Sequence, residues 1–128
     1  MAAPSAAHIL IVDDDAELME VLKYLLEDEG FEVSTAEDEK SALSIVADGK
    51  LDLVLLEIGM AGLDGPEVAM RVRAAGIRLA IHTTGEESAV LGQGVEHDAF
   101  ITKGEDPEPV LDAICALLDR PRATVSST

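Results

Sequence analysis

Polar side chains follow four apolar runs of the chain, each at the point where the run ends. They are Asp13, Asp14 and Asp15 after the first run, Glu57 after the third, Thr83 after the fourth and Lys103 after the fifth. If these runs are neighbouring strands of an open α/β sheet, their carboxyl ends bring the groups into one cleft. Carboxylates in one cleft repel one another, so they need a divalent cation, a lysine or protonation to coexist. Hard oxygen ligands with a backbone carbonyl nearby would suit Mg2+.

The centre of this pattern is Glu57. It ends the apolar run 53–56, which is too short for a comfortable helix and is typical of a strand buried on both faces. A glycine-rich loop follows, and Asp64 then predicts the cap of a helix, with Pro66 in the first turn and Glu67 three residues after the cap. A carboxylate is therefore expected at a position where α/β proteins carry their chemistry.

Apolar periodicity predicts five strands that alternate with five helices. The strands are 8–12, 31–35, 53–56, 78–82 and 99–102, and the second of them, which alternates, is expected at an edge. The helices are one through 18–25 that ends at Gly30, then 41–48, 66–75, 86–94 and one from 107 to about 118. Helix 86–94 contains two glycines, each of which costs about 1 kcal/mol relative to alanine. Crossovers of this length predict a parallel sheet with helices on both faces.

The helical spacing also predicts which side chains face the core. They are Leu18, Val21, Leu22 and Leu25 in the first helix, Ala42, Leu43 and Val46 in the second, Val68, Val72 and Ala75 in the third, and Val110, Leu111, Ile114, Cys115 and Leu118 in the last. One domain is expected over residues 8–119, with an N-terminal tail at 1–7 and a polar, frayed C-terminal tail at 120–128.

Composition restricts the classes of function. The 128 residues include 9 Lys and Arg and 26 Asp and Glu, which gives a net charge of −17. Such a surface repels phosphate backbones and anionic lipid, so we expect neither direct nucleic-acid binding nor a membrane role. The single cysteine excludes an internal disulfide and fits a cytoplasmic setting. We expect a monomer or a weak dimer.

Taken together, the motifs resemble a response-regulator receiver domain of the CheY-like family. The resemblance rests on ILIVDDD at 9–15, LDLVLLEIGMAGLDGPE at 51–67, the threonine after the fourth strand and DAFITKG at 98–104. It implies a doubly wound five-stranded sheet in the order 2-1-3-4-5, and phosphoryl transfer from a kinase histidine with Mg2+ bound. By position it implies Asp13, Asp14 and the Gly59 carbonyl as metal ligands, Thr83 and Lys103 beside the phosphoryl group, and Phe100 as a switch aromatic.

The departures from the family pattern bear on function. Glu57 stands where the family has its acceptor aspartate, while Ala61 and Gly104 replace usual prolines. The extra methylene moves the carboxylate by more than about 1 Å, and such a misplacement can cost on the order of 10²-fold in rate. The same reach would let Glu57 pair with Lys103 and Thr83, which would imitate a phosphorylated acceptor.

We therefore expect a non-enzymatic signalling module of two-component or phosphorelay systems that binds Mg2+ weakly. Its partners would be a histidine kinase, a phosphotransfer protein or a downstream signalling protein, with contacts near Ala89, Val90, Phe100 and Pro109. Three alternatives stay open: Glu57 could accept a phosphoryl group, it could be an inert surface residue, or the chain could be a Mg2+-dependent phosphatase. For the phosphatase, the acids at 13–17 fit the haloacid dehalogenase motif poorly. A simpler interpretation of Asp13–Asp15 is also open, namely that they only cap the first helix.

Overall fold

The computed structural model describes residues 6–123 as five strands that alternate with five helices. The strands are β1 (His8–Val12), β2 (Glu32–Ala36), β3 (Leu53–Leu56), β4 (Arg78–Thr83) and β5 (Ala99–Thr102). The helices are α1 (Ala16–Asp28), α2 (Glu39–Ala47), α3 (Gly65–Ala74), α4 (Glu87–Gly92) and α5 (Glu108–Leu117). No helix within 6–123 is long and apolar enough to cross a membrane.

All neighbouring strands pair in parallel, and the sheet order is β2-β1-β3-β4-β5. The predicted doubly wound fold and its 2-1-3-4-5 order are confirmed. β2 lies at an edge, as its alternating pattern indicates, but it begins at Glu32 rather than at Phe31. Phe31 is instead buried in the core just before the strand.

The sheet separates two apolar cores because successive side chains of a strand point to opposite faces. On one face, residues such as Ile9 and Leu55 pack with α1 and α5. On the other face, residues such as Leu10 and Val54 pack with α2, α3 and α4. β3 is buried along its whole length, so both faces of the central strand are covered.

Asp residues begin three of the helices, each by accepting a hydrogen bond from a backbone N–H three residues later. The caps are Asp15 to Leu18, Asp38 to Ser41 and Asp64 to Glu67, at 3.0, 2.8 and 3.1 Å. The predicted cap at Asp64 is confirmed. Asp15 also caps α1, so the capping interpretation holds for the last acid of the triplet.

The loop before α3 depends on one glycine. A Cβ at Gly65 would lie 2.7 Å from the Ile58 carbonyl oxygen, closer than real Cβ contacts allow. The absence of a side chain therefore lets the first turn of α3 pack on the residue that follows Glu57, which sets the path of the β3–α3 loop.

The face of α1 differs from the prediction. Its buried residues are Met19, Leu22 and Leu26, whereas Val21 is 51% exposed. Leu18 and Leu25 lie at the border of the core. The buried arc is thus rotated toward Met19, because β1 and the β2 edge lie on that side of the helix. In α3, Ala69 is buried and Ala75 is exposed, so the predicted inward position of Ala75 is also wrong.

The chain after α5 folds back onto the end of α1. Arg122 forms ion pairs with Glu29, Asp112 and Glu108 at 3.0, 2.6 and 3.3 Å. The backbone N–H of Ala123 also donates to Glu29. The prediction of a frayed tail is therefore wrong for residues 120–123, while 124–128 lie outside the described residues.

Candidate functional site

The carboxyl edge of the sheet positions the candidate residues, since each follows or ends a strand in an unbroken ladder. Backbone hydrogen bonds continue past the strand ends: Glu57 N–H donates to the Val12 carbonyl at 2.9 Å, and Lys103 N–H to the Thr83 carbonyl at 2.8 Å. Because the backbone of these residues is still part of the sheet, their side chains leave it from defined points. The predicted convergence of the strand ends is seen directly.

Lys103 joins two of the three central strands at this edge. Its Nζ lies 2.9 Å from Asp13 Oδ2 and 3.0 Å from Glu57 Oε1. The Lys103 side chain is 18% exposed, and Asp13 and Glu57 are 2% and 8% exposed as residues. One ammonium therefore bridges two buried carboxylates and offsets part of the repulsion between them. Asp13 belongs to this network, so the interpretation that the acidic triplet serves only as a helix cap is wrong for Asp13.

The second oxygen of Glu57 is held as well. Its Oε2 accepts a hydrogen bond from the Gly59 N–H at 3.0 Å, within the loop that follows β3. Burial opposes ionisation of Glu57, but hydrogen bonds from Gly59, Thr83 and Lys103 outweigh it and hold the pKa of the carboxyl below its usual value. Glu57 is thus a fixed anion that is buried and paired rather than exposed on the surface.

Lys103 responds to the same balance in the opposite direction. Burial disfavours its charged form, but the hydrogen bonds and charges of Asp13 and Glu57 outweigh burial and raise the pKa of the ammonium. The two shifts reinforce each other, because each group stabilises the charge of the other.

The residues with possible metal-binding roles lie beside this network. Asp13 Oδ1 accepts the Asp15 N–H at 3.0 Å, while Asp14 is exposed and Gly59 stands in the exposed loop. Within residues 6–123, no group of three or more His, Cys, Asp or Glu side chains could hold a metal ion. The donors that the family resemblance assigns to a metal are two carboxylates and a backbone carbonyl. This donor set fits Mg2+, which binds to one or two carboxylates and keeps several waters.

Thr83 is near the network and Phe100 is apart from it. Thr83 is buried, and its Oγ1 accepts the Gly85 N–H at 3.3 Å. Phe100 is half-buried on the α4 side of the sheet, with its ring centroid 5.9 Å from that of His97. The structure thus brings together Asp13, Glu57, Thr83 and Lys103.

Two histidines were missed by the reasoning from sequence. His82 is 5% exposed and lies between Ile81 and Thr83 in β4. Because successive side chains of a strand alternate, the His82 side chain points to the face of the sheet opposite to that of its two neighbours. Its signal was a polar residue inside a buried strand. His97 Nε2 lies 2.7 Å from Glu87 Oε2, and its Nδ1 lies 3.3 Å from the Val95 carbonyl oxygen, so the ring ties α4 to the segment before β5. No spacing in the sequence indicates that pair.

The chain spans about half the length of the curated relatives it matches. It is 36% identical over 115 residues to the DNA-binding response regulator MtrA of Mycobacterium tuberculosis, and the aligned region covers 88% of this chain and 50% of MtrA. It is 33% identical over 124 residues to the alkaline phosphatase synthesis transcriptional regulatory protein PhoP of Bacillus subtilis, and the aligned region covers 94% of this chain and 52% of PhoP.

Solved structures give the same result. A CheY-like receiver domain protein from Methanospirillum hungatei superposes with a TM-score of 0.80 at 29% identity, covering 90% of this chain and 95% of that one. TrrA from Thermotoga maritima, crystallised with Mg2+ and BeF, gives 0.77 at 30% identity, covering 87% and 98%. Residues 9–115 match the family described as the response regulator receiver domain. This chain therefore belongs to the response-regulator receiver domain family.

Proposed function

We propose that residues 8–119 form an atypical receiver module in which Glu57 occupies the phosphoacceptor position, and that the module signals by protein contact without depending on phosphorylation. The observation that carries this proposal is the bridge from Lys103 Nζ to both Asp13 Oδ2 and Glu57 Oε1. In the family, the acceptor carboxylate must be free to attack phosphorus. Here the corresponding carboxylate is already bound at both of its oxygens.

The geometry of Glu57 disfavours phosphoryl transfer. Transfer depends on positioning and electrostatics rather than on complex covalent chemistry. Glu57 Oε1 is engaged by Lys103 and Oε2 by the Gly59 N–H, so an attacking oxygen must first break a charge-assisted hydrogen bond. The carboxylate would also have to move away from its present position to make room for the phosphoryl group.

The same contacts support a resemblance to the phosphorylated product. A phosphorylated acceptor would place anionic oxygens near Thr83 and Lys103, and Glu57 places one carboxylate there permanently. A carboxylate has less charge and fewer acceptor oxygens than a phosphoryl group. Glu57 therefore favours the activated-like state in part rather than completely.

Mg2+ would be held by Asp13, Asp14 and the Gly59 carbonyl. The ion would supply positive charge that offsets the negative charge of the acidic edge. Lys103 already occupies Asp13 Oδ2, and the Asp15 N–H occupies Oδ1, so a metal must compete for both oxygens. Affinity weaker than that of an ordinary receiver follows, because Mg2+ requires near-ideal octahedral geometry at about 2.0–2.1 Å.

Partners would be a histidine kinase, a phosphotransfer protein or a downstream signalling protein. The output contacts would lie on the face of α4, β5 and α5, around Ala89, Phe100 and Pro109. Val90 does not belong to this face, since it is buried in the core. MtrA is described as DNA-binding, but the net charge of −17 makes direct contact of this domain with DNA unfavourable.

Intact-mass spectrometry after incubation with Mg2+ and a small phosphodonor tests the proposal on this chain and on Glu57→Asp. We expect no phosphoryl adduct on this chain and a measurable adduct on Glu57→Asp, because the shorter side chain gives up the Lys103 contact and restores the acceptor reach. An adduct on Glu57 at a level similar to that of Glu57→Asp would refute the proposal and would favour a glutamyl phosphoacceptor. Turnover of a phosphatase substrate by the unmodified chain would favour the enzyme instead.

A further inference from the structure

A cavity of about 300 Å3 opens on the face of the sheet opposite to α3 and α4. It lies between α1 and the segment that joins β5 to α5, and we call it the α1–α5 cavity. Its apolar lining includes Leu22 of α1 and Val110 of α5, and His82 of β4 also lines it. Mostly apolar concavities of this size with a few polar groups are the usual form of small-ligand sites.

His82 is the polar group of this lining. It is 5% exposed, and its ring forms no hydrogen bond with any side chain or backbone group in the described range 6–123. Burial and repulsion by Lys103 lower its pKa, against the attraction of Asp13 and Glu57, so the ring is neutral. A neutral imidazole offers one donor and one acceptor nitrogen. No buried side-chain nitrogen or oxygen within residues 6–123 lacks a partner, so the unpaired nitrogens of His82 are open to the cavity and available to a ligand there.

The edge of the cavity is acidic. Glu17, Glu105 and Asp106 line it, together with the capping residue Asp15, and no Lys or Arg does. Glu17 and Glu105 form no ion pair with another described residue. The nearest cation of the site described above, Lys103, is already engaged by Asp13 and Glu57. Charge complementarity therefore selects a cation and disfavours an anion.

We propose that the α1–α5 cavity is a binding site for a small organic cation with a compact apolar body, such as an aryl or alkyl amine, amidine or guanidine. The apolar part would pack on Leu22 and Val110, and one N–H of the cationic group would donate to the His82 ring. The positive charge would lie toward the carboxylates of Glu17 and Glu105. This arrangement gives the His82 ring a hydrogen-bond partner and the two unpaired carboxylates a counterion.

The proposed cation site is independent of whether Glu57 can be phosphorylated. His82 is adjacent to Thr83, but its side chain points to the other face of the sheet. A failure of the cation site would therefore leave the assignment of Glu57 untouched, and a phosphoryl adduct on Glu57 would leave the cation site untouched.

Titration of the 15N-labelled chain followed by amide NMR tests the proposal with three probes of almost the same shape. Benzamidinium carries the charge, benzamide is its neutral analogue and benzoate is its anionic counterpart. We expect saturable shifts of the amides around Leu22, His82 and Val110 with benzamidinium, binding at least about fivefold weaker with benzamide, and no saturable shift with benzoate. Equal responses to all three probes, or no saturable response to benzamidinium, would overturn the proposal.

Two variants separate the charge from the polar contact. Glu17→Gln combined with Glu105→Gln should weaken benzamidinium binding about tenfold, whereas Glu20→Gln combined with Glu32→Gln, which changes net charge equally outside the cavity, should leave binding unchanged. His82→Leu replaces the imidazole by an apolar side chain that can stay buried in the strand. It should weaken binding by a similar factor, because the acceptor nitrogen is lost. Equal losses in the two double variants, or full affinity in a folded His82→Leu, would refute the site.

Discussion

Replacing Glu57 by glutamine keeps the size of the side chain and removes its charge. In this chain, Glu57 Oε1 lies 3.0 Å from Lys103 Nζ and Oε2 accepts the Gly59 N–H at 3.0 Å. The variant retains one carbonyl acceptor, and Lys103 keeps its contact with Asp13 at 2.9 Å. The variant therefore loses one charge-assisted hydrogen bond, a type of bond that contributes about 1.5–3 kcal/mol to stability. Allowing for the weaker bond that an amide can make, we expect the free energy of unfolding at pH 7 to fall by about 1–2 kcal/mol.

The pH dependence distinguishes this cause from a change in packing. The pKa of Glu57 is lower in the folded than in the unfolded chain, so its charge stabilises the fold above the unfolded pKa. This stabilisation decreases as pH falls through the lowered folded pKa. The difference between this chain and Glu57→Gln should thus be full above about pH 5 and approach zero in stronger acid.

Urea denaturation of both chains across this pH range is the assay, with the exposed Glu32→Gln as the control. Glu32 forms no hydrogen bond or ion pair with another described residue through its side chain, so the control should change stability by no more than about 0.5 kcal/mol. A Glu57→Gln variant as stable as this chain at pH 7 would refute the reasoning. So would a difference that does not depend on pH.

Three further perturbations test other parts of the structure. Gly65→Ala should destabilise the fold by about 1–3 kcal/mol because its Cβ would meet the Ile58 carbonyl, while Gly92→Ala, which meets nothing within 4 Å, should be neutral or stabilising by up to about 1 kcal/mol in thermal unfolding. Glu87→Gln should increase hydrogen exchange of the α4 amides, since the bond to His97 is weakened; unchanged exchange would contradict this. Calorimetric titration should give weaker Mg2+ binding for this chain than for Glu57→Asp, because Mg2+ requires near-ideal geometry and the longer side chain places its carboxylate at the wrong reach; equal affinities would contradict this.

The sequence was most informative where local rules and long-range constraints agree. The apolar run 53–56 can only be buried on both faces, so its place in the middle of the sheet followed, and with it the position of Glu57. Asp64 and Pro66 marked the start of α3 through the chemistry of helix caps. Parallel pairing then brought Asp13 and Lys103 to the same edge as Glu57, as expected.

Other features depend on packing that periodicity does not encode. The buried arc of α1 includes Met19 and leaves Val21 exposed, since apolar residues occupy more than one face of this helix and the neighbouring strands decide which face is covered. Arg122 was predicted in a frayed tail, and only the fold brings it to Glu29, which is 93 residues away in sequence. The sequence shows His82 only as the end of a strand, because the cavity that it lines is formed by residues of α1 and α5 that the fold brings next to it.

The most direct test of the central claim is relaxation-dispersion NMR on this chain and on Glu57→Gln, observing the amides of Thr83 and Phe100. We expect the charge of Glu57 to bias the domain toward the activated-like state through Lys103 and Thr83. A net bias near 1 kcal/mol would change the population ratio about fivefold between the two chains. Identical populations would show that the charge of Glu57 does not bias the domain, which would then be a passive scaffold for protein contacts.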